Sequence, residues 1–227
     1  MGHRNSGQPT ATVTQPFYFK GSTTMRKPLR TFALLSILSG VSLTSQAAEV
    51  RGLFNMGYDF GGDRLVTVIY TDGSRDSVDA NRGFYFGGGI SLVHDQAGTM
   101  ETQLTLNYRF EETDPLASGG VKFSTTAFDA VQVFNVNQAS FGIGLTYHMS
   151  PKVVGTGVIS GNTQFDDASG LLFQVGFRMS DRASIGMRYT NIKYKAPGLT
   201  QVDGSGFGIF FNFGFGGGSS KPAGAAW

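Results

Sequence analysis

Few residues of this chain can do chemistry, and most of them are charged. Three histidines and no cysteine occur in 227 residues, which removes thiol catalysis, thiolate metal sites and a disulfide framework. What remains is a set of arginines and acids, Arg51, Asp59, Glu101, Arg109, Glu111, Asp129, Arg178 and Arg188, set into largely apolar stretches. Alternate residues of a β-strand share a face, so these eight are expected to gather on one side of a sheet. There they either neutralise one another or line a narrow polar path. A second set, Asp63, Asp72, Asp76, Asp79 and the pair Asp166-Asp167, reads as solvated loop acids, with divalent-cation binding as the rival. No catalytic residue, metal site or cofactor is expected.

The elements that position these charges follow a period of two. In "VRGLFNMGYDFG" Val50, Phe54, Met56, Tyr58 and Phe60 share one phase, against Arg51, Asn55, Gly57 and Asp59. In "TMETQLTLNYRFE" Leu104, Leu106, Tyr108 and Phe110 oppose Gln103, Asn107, Arg109 and Glu111. The same alternation recurs along the chain and predicts eight strands near residues 50–61, 83–94, 99–111, 123–135, 139–149, 169–180, 182–194 and 204–215. The fourth is the least regular, because apolar residues of both phases flank Asp129; the even count places it. Long connections follow the odd strands and short ones the even strands. The first long connection, 62–82, is expected to fold as a hairpin about Asp72-Gly73. This layout is all-β, an eight-stranded antiparallel up-and-down β-barrel.

Residues 25–47 read as a secretory signal peptide: a basic start (Arg26, Lys27, Arg30), an apolar run of about a dozen residues and a small-residue end at Ser45-Gln46-Ala47. Residues 1–24 then form an upstream extension, 48–216 the barrel and 217–227 a short Gly-rich tail. Five of the 18 basic residues and none of the 16 acids precede Ala48, leaving 13 bases against 16 acids and a net charge of −3. The basic character of the whole sequence belongs to the leader, and no nucleic-acid partner is expected.

Residue size decides which face looks outward. Five large apolar residues per strand would overfill an eight-stranded interior, which is only wide enough for packed side chains. Turned outward they meet lipid, and inward glycines such as Gly57, Gly87, Gly142 and Gly186 leave room for the arginines and acids. Strands of 10 to 13 residues, at about 3.3 Å each and tilted by about 40°, span the roughly 25 Å apolar band of an outer membrane. Phe210 is the exception in the last strand, an aromatic ring in the inward phase. Tyr58, Tyr108, Tyr147 and Tyr189 fall on outward phases where an aromatic girdle is expected.

With these features the chain resembles the small eight-stranded outer-membrane β-barrels of Gram-negative bacteria, the broad OmpA-type, OmpW-type and opacity-protein class, over about residues 49–215. The resemblance implies a monomeric transmembrane barrel in the cell outer membrane, contacting lipids and lipopolysaccharide and inserted by the outer-membrane assembly machinery. That machinery's signal in the class, an alternating final strand ending in an aromatic residue, is matched by Phe207, Ile209, Phe211, Phe213 and Phe215, and either Phe215 ends the signal internally or Trp227 is its terminal aromatic. The tail looks too short for a periplasmic peptidoglycan-binding domain. His148-Met149-Ser150 weakly resembles the His-x-Ser pair of an outer-membrane lipid A deacylase, but His148 falls in the inward phase, at a strand–loop junction where no role is expected. The expected function is structural, surface-interactive or ligand-binding through the external loops. A narrow channel for small or hydrophobic solutes is the alternative, and a lipid-modifying enzyme the more distant one.

Overall fold

The computed structural model describes residues 12–14, 49–69, 75–113, 120–156, 160–196 and 201–217. Eight long strands carry the fold: β1 (Glu49–Gly61), β2 (Gly83–Val93), β3 (Met100–Glu112), β4 (Val121–Val136), β5 (Ala139–Gly155), β6 (Ala168–Arg178), β7 (Ala183–Tyr194) and β8 (Gly206–Phe215). Each pairs antiparallel with its neighbour in sequence. The last returns to the first, with Phe207 opposite Phe60 and Phe213 opposite Phe54. That closing pair removes the lateral edges of the sheet, so backbone groups that lipid could not hydrate are paired across strands.

The wall is inverted relative to a water-soluble barrel. Leu106, Phe173 and Ile209 are 52%, 41% and 50% exposed, whereas Asn107, Thr146 and His148 are at most 1% exposed. A belt of exposed Phe, Leu, Ile, Val and Met side chains runs round all eight strands. A contiguous apolar surface of this kind is stable only against hydrocarbon. Phe207, Ile209, Phe213 and Phe215 stand outward on β8, and Phe211 is half-buried beside them. Above the belt, rings pair across and along strands: Tyr58 with Phe60 and Tyr189 with Phe207 at 4.8 Å between centroids, and Tyr108 with Phe110 at 5.8 Å.

Phe210 lies inside, 3% exposed, and its space is made by glycines. A Cβ on Gly186 would overlap the carbonyl oxygen of Val175 and sit 2.7 Å from the Phe210 ring and 2.6 Å from the Cα of Gly176. A Cβ on Gly176 would meet mainly movable groups, the Ser140 hydroxyl at 2.6 Å and the Phe210 ring at 3.1 Å. Gly186→Ala is therefore expected to destabilise the barrel by about 3 kcal/mol or more and Gly176→Ala by about 1 kcal/mol. Denaturant titration of the two variants refolded in the same micelles checks the order; equal costs would mean that strand spacing adjusts freely.

Short turns close one end of the barrel. At the first, Asp95 accepts hydrogen bonds from the backbone amide of Thr99 (2.9 Å), its hydroxyl (2.6 Å) and the amide of Met100 (2.9 Å). Chiefly through the Thr99 bonds, its carboxyl is held below the usual range. The sign follows: the turn gains from ionised Asp95 above the ordinary carboxylate pKa and loses that gain as pH falls through the lowered value. Asn137 and Ser180 shape the other two turns, Asn137 with a φ of 55° and Ser180 through a hydroxyl that accepts from the amides of Arg182 and Ala183.

At the long-loop end the structure exceeds the sequence expectation. Strand β5 runs on to Gly155 instead of ending at Met149. Ser150 adopts a φ of 49°, a bulge shifts the β4–β5 register between Ser124 and Thr126, and the Thr125 hydroxyl donates to the Met149 carbonyl at 3.1 Å. Thr146 and His148 point inward before the bulge, and Pro151 and Val153 are buried after it. The phase flips by one residue, which hides the continuation from a count of alternation. Gly161–Gln164 pairs back onto this extension.

The connection after β1 does form a hairpin, Arg64–Ile69 against Arg75–Asp79; its expected turn at Asp72-Gly73 lies outside the described residues. Leu65, Val66, Val68 and Val78 of the hairpin join Val121, Phe123, Val153, Phe165, Ile192, Tyr194 and Val202 in one buried apolar cluster. A hydrophobic core thus sits at the long-loop end, inside and above the wall.

Candidate functional site

The charged residues meet in mid-barrel, where the register gives them space. Asp59 on β1 is paired with Gly83 of β2 and Gly208 of β8, so no side chain flanks it on either adjacent strand. From β7, Arg188 donates to it through Nε (2.9 Å to Oδ1) and Nη2 (2.7 Å to Oδ2), a bidentate pair. Arg109 of β3 reaches the same carboxylate through Nη1. On the opposite wall Asp129 of β4 stands 3.6 Å from Arg109 and 3.7 Å from Arg188. It also accepts from the Asn107 amide at 2.9 Å and from the Thr146 hydroxyl. The Tyr85 ring lies under both guanidinium groups, 4.0 Å from that of Arg188 and 4.7 Å from that of Arg109. Two cations and two anions, each 3–4% exposed, thus cross-link four strands, β1, β3, β4 and β7, as a neutral knot. Such charges persist away from water because each has an opposite charge and hydrogen bonds of fixed geometry.

The other four residues of the expected charge set lie at different heights. Toward the short-turn end Glu101 accepts from the Ser91 hydroxyl and from the Gln103 amide at 2.9 Å. Arg51 pairs with Glu49 and donates to the Asp181 carbonyl at 2.8 Å, and Arg178 lies 3.5 Å from the exposed Asp181 carboxylate. A cavity of about 40 Å³ between Arg51, Ser91, Glu101, Gln103, Gln174 and Arg178 marks this mouth; it is large enough for a water or two. Glu111 belongs to the opposite rim. It accepts from the Asp79 amide (2.9 Å) and is paired with Arg82 (3.1 Å), tying the hairpin to β3. The eight residues are therefore three separate groups rather than one network.

His148 is placed differently from the sequence expectation. It is fully buried within the barrel, with Nδ1 bonded to the Tyr194 hydroxyl at 2.7 Å, and is not a rim residue. Tyr194 in turn packs its ring 6.0 Å from both Phe123 and Phe165. The His148–Tyr194 bond is the join between the polar lumen and the apolar core above it. Nε2 of His148 is buried without a hydrogen-bond partner among the described residues, so removing the tyrosine hydroxyl strips the ring of its remaining bond. Tyr194→Phe is expected to cost about 1–3 kcal/mol, read as a lower denaturant midpoint in micelles. Ser150 faces solvent beyond the bulge, and its amide donates to Asp167 at 2.8 Å; no hydrogen bond joins it to His148 among the described residues.

Three features went unread in the sequence: Tyr85 as the platform of the charge knot, Arg82 as the hairpin's tie, and the apolar closure. A signal for the last was present. Ile192 and Tyr194 continue the inward phase of β7 but are large and apolar, where its lower inward positions are polar or small.

Polar contents within a sealed sheet and an apolar wall outside define the molecule. The chain is a small eight-stranded transmembrane β-barrel. Its sequence matches no protein-family model and no curated protein. Among solved structures it is similar to Ail, the attachment invasion locus protein of Yersinia pestis. One Ail crystal structure aligns at 12% identity and a TM-score of 0.47, over 74% of this chain and 99% of that one. Another, of Ail in complex with the heparin analogue sucrose octasulfate, aligns at 12% identity and a TM-score of 0.44, over 73% and 97%.

Proposed function

We propose that this protein is an integral outer-membrane barrel with a sealed lumen that acts through the surface it presents outside the cell, in envelope structure or in contact with a partner. The observation that carries this reading is the double closure of the interior. The Asp59–Arg109–Asp129–Arg188 knot fills the middle of the barrel, and the apolar cluster around Phe123 and Tyr194 fills the long-loop end. A solute path has to break both, whereas the hairpin, the extended β5 and the rim pair Arg82–Glu111 give the outer end a folded platform.

On this reading residues 25–47 direct export, the short turns face the periplasm, and the Phe-rich outer face of β8 is what the assembly machinery engages. The barrel is a monomer surrounded by outer-membrane lipid and lipopolysaccharide. No enzymatic activity is proposed, since His148 is walled off from lipid and solvent.

Planar-bilayer recording of the purified barrel tests the sealed lumen. No steady openings are expected, and steady openings abolished by a bulky replacement of Gly142 or Gly144 would overturn the reading in favour of a narrow channel. Lipid A mass spectra unchanged by overexpression, and the same for His148→Ala, are the expected result against a lipid-modifying role.

A further inference from the structure

The hairpin at the long-loop end carries an edge that the barrel does not use. Its second strand, Arg75–Asp79, is the one that packs toward the ends of β3 and β4. Its first strand, Arg64–Ile69, pairs with Arg75–Asp79 along one side, and among the described residues no part of the barrel pairs with the other side. An unpaired edge displays a row of backbone donors and acceptors, and proteins that must keep such an edge idle guard it with lysine, proline or bulges. Here a single register shift between Arg64 and Val66 disturbs one end. From Leu65 to Ile69 the sequence LVTVI holds no charge and no proline, and four of its five residues are β-branched.

This edge accepts a strand in the structure. Thr12–Thr14 pair with it antiparallel, Thr12 opposite Ile69, Val13 opposite Val68 and Thr14 opposite Thr67. The added strand comes from an uncharged run, Thr10 to Gln15, bounded by Pro9 and Pro16, and its partnership is made by backbone pairing. These residues precede the export signal, so on the function proposed above they are absent from the exported protein and the edge stands open to the outside.

We propose that in the exported protein the Arg64–Ile69 edge is a strand-addition site for an extended, uncharged, β-branched segment of a partner protein, taken up antiparallel in the register of Thr12–Thr14. Backbone hydrogen bonds supply the attraction in this mode of recognition, and side chains alternating along the added strand supply selectivity. The inference rests on the reading that residues before Ala48 are removed and that the hairpin faces outward.

The test uses the exported form, residues 48–227, refolded in micelles, with a synthetic peptide of residues 9–16 as the probe. Amide hydrogen exchange is followed at Thr67, Val68 and Ile69. The peptide is expected to slow exchange at one or more of these amides at least tenfold, and its Val13→Pro analogue, which leaves the barrel untouched, to give no protection. No protection at millimolar peptide, or equal protection by the analogue, overturns the site. Protection without peptide that grows with barrel concentration, accompanied by a doubled particle mass, overturns the partner in favour of a second copy. The mass of the protein extracted from outer membranes is measured separately. A chain beginning at Ala48 is expected; one that retains Thr12–Thr14 overturns the open edge in the exported form through its functional premise, while leaving the peptide result on the edge itself to stand.

Discussion

Asp59→Ala is expected to cost about 3–5 kcal/mol of barrel stability, the largest effect of any single side-chain truncation in the lumen. The carboxylate takes the bidentate bond of Arg188 and the bond of Arg109, and all three groups are nearly inaccessible to water. Truncation leaves two guanidinium groups facing one anion, Asp129, at 3.6 and 3.7 Å. An uncompensated buried charge of this kind carries a penalty in that range. Asp181→Ala is the control, because Arg178–Asp181 is a pair with the acid at the surface, where loss costs about 0–1 kcal/mol. Adding Arg188→Met to Asp59→Ala restores neutrality with Arg109 and Asp129. The double variant is expected to recover about half the loss, a coupling visible in a mutant cycle. Unfolding in denaturant, followed by circular dichroism and by gel mobility with and without heating, gives the numbers. Equal midpoints for the Asp59 and Asp181 variants would mean that water reaches the knot.

The sequence made the barrel legible because one rule, alternation, was enforced on every strand by two incompatible solvents. Where it held, strand limits came within about two residues, as for β3 and β7. It failed at Ser150, where a bulge changes phase without changing composition, so the end of β5 was misplaced and His148, read on the inward face, was put at a strand–loop junction instead of within the wall. The charge set was legible as a face and not as a geometry. Strand phase puts Glu111 and Arg109 on the same side, but height along a tilted wall depends on register between strands, which no single strand encodes. That is why Glu111 belongs to the rim with Arg82, and Arg109 to the knot with Asp59. Tyr85 shares its strand phase with Gly87 and Gly89 and carries no local signal of its role. Its position under two guanidinium groups depends on β2 lying next to β3 and across from β7, a property of closure.

Phe173→Arg is expected to cost about 2–4 kcal/mol when the barrel is in a bilayer, and this result separates a lipid-facing wall from a wet one. Phe173 stands outward at the middle of β6, opposite Ile143 of β5 and Tyr189 of β7, with Leu171 above and Val175 below it on the same face. On a water-facing wall an added arginine at a 41% exposed position falls within about 0.5 kcal/mol of neutral. In hydrocarbon the guanidinium must either shed its hydration or draw water and headgroups inward, and the cost depends on depth. Ser169→Arg, on the same outward face of the same strand but near its long-loop end, is therefore expected to cost no more than about 1 kcal/mol. Phe177→Arg, near the short turns, should fall between the two. The profile across Ser169, Phe173 and Phe177, measured by denaturant refolding into vesicles, should peak at the middle residue. A flat profile would put one uniform solvent along the whole outer face, and the inward knot would then be the only part of the wall built for a dry environment.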